Sequence, residues 1–363
     1  MAAIDPQTRR RCGRTGLTAL DPDRACPGFV LFAPLYGDGL VELIALDGRS
    51  AHQWRLPWPP GLYAQLQPEG GLFFAGQGPA ADPEPFPLWQ HFRGGVLAEA
   101  DPKGRIRWEH RDPMHHHDAR RTAGGGAVYL AVGRVPPAVA ARVRGGVPGS
   151  GTGGMWADVI VKVDAQGRRV WEWKAWEYLD PDLDAINPDD ARDEWTHGNT
   201  VALLPGNRLL ASFRNLSTVV LLDRADGRIL RRLGPELLAQ QHDPSLLDNG
   251  HILVFDNGAH RPGQAQPYSR VLEVDPERAE VVWGYQDRPQ WNFFSPIISG
   301  ARRLAGGNTL VTEGVFGRMF QVTPGGEVVW EYLNPHFNAA PDGSLTNAVF
   351  RALHYQPGEI PWL

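Results

Sequence analysis

Six copies of one short pattern, spread evenly along the chain, restrict the fold more than any other feature. "DGRSAHQW" (Asp47–Trp54), "DPKGRIRW" (Asp101–Trp108) and "DAQGRRVW" (Asp164–Trp171) place an aspartate, a turn glycine and a tryptophan in fixed order. "DRADGRIL" (Asp223–Leu230) keeps the frame with leucine for tryptophan, "DPERAEVVW" (Asp275–Trp283) is one residue longer, and "TPGGEVVW" (Thr323–Trp330) starts on threonine. The stretches ahead of them, such as "VIVKVD" and "RVLEVD", alternate apolar and polar residues. Each copy therefore reads as strand, tight turn, strand, with the tryptophan packing between layers.

A second hairpin pattern falls between the copies. "LQPEGGLFF" (Leu66–Phe74), "TAGGGAVYLA" (Thr122–Ala131), "LLPGNRLLA" (Leu203–Ala211), "LLDNGHILVF" (Leu246–Phe255) and "LAGGNTLVT" (Leu304–Thr312) set a glycine turn between apolar runs, and "ALHYQPGEI" (Ala352–Ile360) is a degenerate sixth. Two hairpins per unit make four strands. Six such units predict an all-β fold, a six-bladed β-propeller of four-stranded blades. The incomplete unit at the C-terminus predicts closure by both chain ends in one blade. An inner strand near Phe350–His354 would pair with "FVLFAP" (Phe29–Pro34) and "VELIALD" (Val41–Asp47), leaving no free edge there. The reading divides the chain into an N-terminal extension, 1–28, and one propeller domain, 29–363. A Gly- and Pro-rich insertion at 133–155 has no strand pattern and reads as a long mobile loop or lid.

Composition agrees with this and narrows the function. The 42 Gly and 32 Pro of the 363 residues are scattered, as many turns require. The net charge of −5 argues against a nucleic-acid partner. No apolar run is long enough for a membrane helix, and the polar start lacks the core of a signal peptide. The expected location is the cytoplasm. Cys12 and Cys26 are equally compatible with one disulfide and with two thiols.

Counting five residues back from the second hairpin's turn reaches His117, Asn199, His242 and Ser299 in successive units. The first strand of a propeller blade lines the central channel, so these side chains are expected to converge. By strand parity His197 joins Asn199 and His115 joins His117. Arg214, past the next turn, is placed at the same mouth. Trp195, Trp291, Phe293 and Phe294 are candidates to stack on a substrate ring.

The stretches "HHHD…GGGAVYL", "HGNTVALLPGNRLLASFRN" and "QHDPSLLDNGHILVFDNG", with the recurring D-x-x-G-x-x-x-W, resemble the arylsulfate sulfotransferase family of six-bladed propellers over about residues 40–335. The resemblance implies transfer of a sulfuryl group from an aryl sulfate donor to a phenolic acceptor, with no nucleotide and no cofactor, through a sulfohistidine. Carried onto this chain, it makes His242 the nucleophile and His197, His117 and Arg214 its catalytic partners. Asn199, Ser299, His115 and Trp195 are the expected substrate contacts. Familiar bacterial members carry an export signal, an extra N-terminal domain and a disulfide; neither the signal nor that domain is visible in this sequence. The residue types suit the chemistry: imidazole is a nucleophile and proton carrier near neutral pH, and arginine holds anionic oxygens. Two other readings stay open. One is a metalloenzyme with iron, copper or zinc on His117, His197 and His242, oriented by Asp118 or Asp243. The other is a non-catalytic binding scaffold.

Overall fold

Each D-x-x-G turn is held by its own residues. Asp101 accepts the backbone N–H groups of Lys103 (2.9 Å) and Arg105 (3.0 Å) on its carboxylate, while Gly104, at φ 77°, donates to the Asp101 carbonyl. That φ is left-handed, where a Cβ is disfavoured, so the glycine recurs for a conformational reason. Asp164 with Gly167 repeats the arrangement. Each turn joins the two outer strands of a blade.

The computed structural model describes residues 14–81, 83–150 and 153–363 and contains six blades. Blade 1 orders Val349–Tyr355, Phe29–Pro34, Leu40–Ala45 and Ser50–Arg55 from axis to rim. The inner strands of blades 2 to 6 are Pro60–Leu66, His115–Arg121, Gly198–Leu204, His242–Leu246 and Gly300–Arg303. All neighbouring pairs within blades are antiparallel. Closure follows the expected scheme, with Phe29 opposite Tyr355 and Phe32 opposite Ala352. The stretch read as an N-terminal extension contributes a strand: Gly16–Leu20 pairs with Val328–Leu333 and makes a fifth strand at the rim of blade 6. Cys12 lies outside the described residues, and Cys26 is a buried free thiol.

The tryptophans latch each blade to the next. The indole N–H of Trp54 donates to the Asp101 carbonyl, that of Trp108 to Ala165, that of Trp283 to Pro324 and that of Trp330 to Leu46, closing the circle. Blade 3 departs from the repeat frame. Its latch is Trp173, fully buried and 2.9 Å from the Gly227 carbonyl, and not Trp171, two residues earlier on the same strand. Blade 4 has Leu230 at the repeat position; there Arg231 reaches Glu277 in the next turn with two contacts, 2.6 and 2.8 Å.

The described part of the 133–155 insertion packs against the outside of blades 3 and 4. Val135, Val143 and Met155 join the buried cluster around Trp195 and Phe213, and Gly145 bridges to Ile186. None of its residues borders the central cavity.

Trp173→Ala should cost about 3–5 kcal/mol of stability, the scale for deleting a large buried aromatic. Trp171→Ala, at a half-buried position, should cost less than half as much. Chemical denaturation of the two variants checks this; equal losses would contradict the latch assignment.

Candidate active site

The inner strands do not run straight to the channel mouth. In blade 3 the register passes from His116 opposite Leu130 to Ala119 opposite Tyr129, so His117 and Asp118 bulge out. Blades 1, 2, 4 and 5 are interrupted at equivalent points. His117 and His197 take left-handed backbone, φ 49° and 50°, at a cost of order 1–3 kcal/mol each. The bulges turn imidazoles into the mouth that a regular strand would hold against the blade.

His117, His197, His242 and Arg214 border one cavity of about 560 Å³. The rings of His117 and His197 lie 4.9 Å apart. Phe92 stacks on His117 at 4.7 Å and meets His197 edge-on at 4.6 Å. Phe350 lies 5.9 Å from His117 and 6.3 Å from His242, joining the two rings. The outer wall is mostly apolar, with Leu35, Tyr36, Leu62, Ile297, Ile298 and Leu345. Part of it is a small hairpin, Asn338–Ala339 paired with Leu345–Thr346, tied to blade 1 by His336 to Glu42 and Asn338 to the Leu35 carbonyl.

The other expected site residues lie elsewhere. Asn199 is fully buried beneath the cavity, donating to the Gln241 carbonyl and accepting from Thr200. Ser299 is buried against Ser295 (2.8 Å) and accepts the Gly314 N–H. His115 accepts the Gly95 N–H on Nδ1 and packs edge-on to Tyr129, because the bulge after it breaks its parity with His117. Trp195 is buried with its indole N–H on the Asp184 carbonyl. Phe293 belongs to the core between blades 5 and 6, and Trp291 is exposed. The aromatic neighbours of the histidines are instead Phe92 and Phe350.

Hydrogen bonds fix the state of His242. Asn257 donates its amide to the carbonyls of Ser295 (2.8 Å) and Ile298 (2.9 Å), which leaves its oxygen facing His242 Nδ1 at 2.8 Å. The Gln240 carbonyl, also an acceptor, lies 3.2 Å from the same nitrogen. Nδ1 must therefore carry the hydrogen, and Nε2 holds a lone pair. Burial, with Arg214 adding to it, lowers the His242 pKa to about 3. His197 is likewise lowered to about 3, chiefly by burial, and His117 well below its usual value. All three rings are neutral at neutral pH.

Partners missed by parity counting complete the site. Glu194, three residues before His197, places Oε2 2.6 Å from its Nδ1. His116 lies with Nδ1 2.7 Å from His117 Nδ1 and Nε2 3.1 Å from Asp158. Asp158 also accepts from the Thr196 hydroxyl and the Gly198 N–H, and a Cβ on Gly198 would overlap its carboxylate. Arg214 donates to Asp190, Asn215 and Gln240, and its Nε has no partner among the described residues. Among those residues no group of three His, Cys, Asp or Glu is arranged to hold a metal ion, and no helix is long and apolar enough to cross a membrane.

The acid dependence follows from the buried rings. Below about pH 6.5 the unfolded chain binds protons that the folded His115, His117, His197 and His242 refuse. Their stabilisation is complete above that pH and falls toward pH 3, by up to about 1.4 kcal/mol per pH unit for each ring. Glu194 opposes them: burial and Asp158 raise its pKa well above 4.5, so its contribution is lost as pH rises. Four rings outweigh one carboxyl, so the urea midpoint should drop between pH 7 and pH 5. An unchanged midpoint would contradict neutral buried histidines.

A model of the family described as arylsulfotransferase (ASST) matches residues 112–335, more than half of the chain. That span contains His117, His197, Arg214 and His242. No curated protein matches the chain significantly. Among solved structures, a protein of unknown function from Bacteroides caccae has 13% identity and a TM-score of 0.53, covering 91% of this chain and 99% of that one. A streptogramin B lyase has 11% identity and a TM-score of 0.49, covering 94% and 93%. A virginiamycin B lyase from Staphylococcus aureus has 11% identity and a TM-score of 0.44, covering 90% and 91%. At such identities the Bacteroides likeness concerns the fold alone.

Proposed function

The chain belongs to the arylsulfotransferase family, and from that premise we propose that it transfers a sulfuryl group from an aryl sulfate to a phenol through a sulfated His242. The observation that carries the reading is the fixed tautomer of His242, a neutral ring with its Nε2 lone pair free at a cavity wall. Nε2 attacks sulfur, the N–S bond forms, and the S–O bond to the aryl oxygen breaks. Because Nδ1 keeps its hydrogen, the sulfated ring is an imidazolium and a good leaving group for the second transfer. Arg214, on the cavity wall, holds the sulfuryl oxygens as charge shifts between them. His117, backed by His116, packs against both Phe92 and His197 and completes the wall. His197 gives a proton to the departing phenolate and takes one from the acceptor. The apolar outer wall receives the aryl groups. The reaction needs no nucleotide and no cofactor on this reading, and the partners are two small phenolic molecules.

Steady-state kinetics with donor and acceptor varied together should give the parallel lines of a ping-pong mechanism. His242→Ala should abolish transfer, and Arg214→Ala should lose about 3 kcal/mol of transition-state stabilisation, the scale for one well-placed donor. Intersecting lines, or activity that survives in His242→Ala, would remove the covalent carrier. Near-stoichiometric bound metal with activity lost to chelators would favour the metalloenzyme instead.

A further inference from the structure

Two buried carboxyl groups stand behind the histidines, and their surroundings differ. Asp158 accepts the Thr196 hydroxyl and the Gly198 N–H on one oxygen, and His116 Nε2 lies 3.1 Å from the other. Glu194 is nearly as buried, at 4% exposure, yet only His197 Nδ1 contacts its carboxyl, and Oε1 has no partner among the described residues. It also borders the cavity. The charged or titratable groups that act on it are Asp158, His116, Asp193 and Arg214. Burial and the neighbouring Asp158 favour the protonated form of Glu194, whose carboxyl contacts His197 Nδ1.

Resting on the sulfotransfer reading, we propose that Glu194 is the proton partner of His197, lending Nδ1 a hydrogen in the first transfer and reclaiming it in the second. At rest the Glu194 hydroxyl donates to Nδ1 across 2.6 Å. His197 therefore carries its own hydrogen on Nε2, toward the reacting atoms. As the S–O bond breaks, that hydrogen passes to the aryl oxygen. Nδ1 takes the proton of Glu194, which becomes a carboxylate. In the second half the acceptor hydroxyl returns a proton to Nε2, Nδ1–H returns one to Glu194, and the electron pair of the N–S bond returns to His242. Without the relay, a neutral ring as weakly basic as His197 would have to leave the step as an anion. Glu194 acts through His197, so it is a positioning residue that also stores the proton.

The test is the burst of phenol released from aryl sulfates without acceptor, in wild type and Glu194→Gln, across leaving phenols of increasing pKa. Nitrophenyl sulfates, whose leaving oxygen needs no proton, should react within about tenfold of wild type. Donors of ordinary phenols should lose about 10²–10⁴-fold, the range of general acid catalysis. A steepened dependence on leaving-group pKa is a signature that a merely structural defect would not produce. Equal loss for every donor would overturn the proposal and leave sulfotransfer standing. A wild type with no burst from any donor would remove sulfotransfer and this proposal together. If Glu194→Gln does not fold, the same slopes are read from Glu194→Asp, whose shorter side chain withdraws the carboxyl from Nδ1.

Discussion

Arg351 lies on the propeller axis, 1% exposed at its side chain, within 3.2 Å of both Asp118 from blade 3 and Asp243 from blade 5. It also donates to the Asn199 carbonyl (3.1 Å) and the Thr200 hydroxyl (3.3 Å) of blade 4. It comes from the C-terminal inner strand, so the residue that closes the ring also ties three other blades together. Asp118 takes the Val201 N–H and Arg120 besides, while Asp243 takes Arg302 at 2.5 Å. Burial works against an ionised Asp118, but Arg120 and Arg351 outweigh it and keep its pKa low. Truncating one member of such a network leaves uncompensated buried charge, typically a loss of about 3–5 kcal/mol. Because Asp118 follows His117 and Asp243 follows His242, the network forms the floor beneath the histidines. It holds the bulged backbone that a free chain would relax.

The architecture was legible because its signals are local and repeated. Asp–Gly turns, alternating strands and tryptophans recur in step, and the degenerate last copy announces closure. Trp173 shows the limit: one strand carries two tryptophans on one face, and only packing decides which becomes the latch. The site was half legible. A shared repeat position pointed to His117 and His242, strand parity to His197, and the place beyond the turn to Arg214, all four of which border the cavity. Strand parity misplaced His115 and the repeat position misplaced Asn199, since a bulge resets the alternation along each inner strand. The run His115–His116–His117–Asp118 has no apolar alternation at all, which was a sign of irregular backbone. Asn257, Glu194, Asp158 and Arg351 are ordinary polar residues far apart in sequence, and only the closed ring brings them behind the histidines.

The physical design separates two tasks. Low dielectric keeps three imidazoles neutral, so in the proposed mechanism nucleophile and proton carrier are ready near neutral pH. The Asn257 amide behind His242 sets which of its nitrogens carries hydrogen, and Glu194 stands 2.6 Å behind His197 in the same way. The apolar outer wall is built from connecting segments and the 338–346 hairpin, which begins beyond the span matched by the family model. His117, His197, Arg214 and His242 lie within the span matched by the family model, whereas Arg351 of the floor and the 338–346 hairpin of the wall lie beyond it.

The most direct measurement is mass analysis of peptides from protein incubated with aryl sulfate alone, followed by addition of a phenol. The expected result is a mass gain of one sulfuryl group confined to the peptide containing His242, at close to one per chain, and its disappearance when phenol is added. A gain on any other residue, or none while phenol is being released from the donor, would contradict His242 as the carrier.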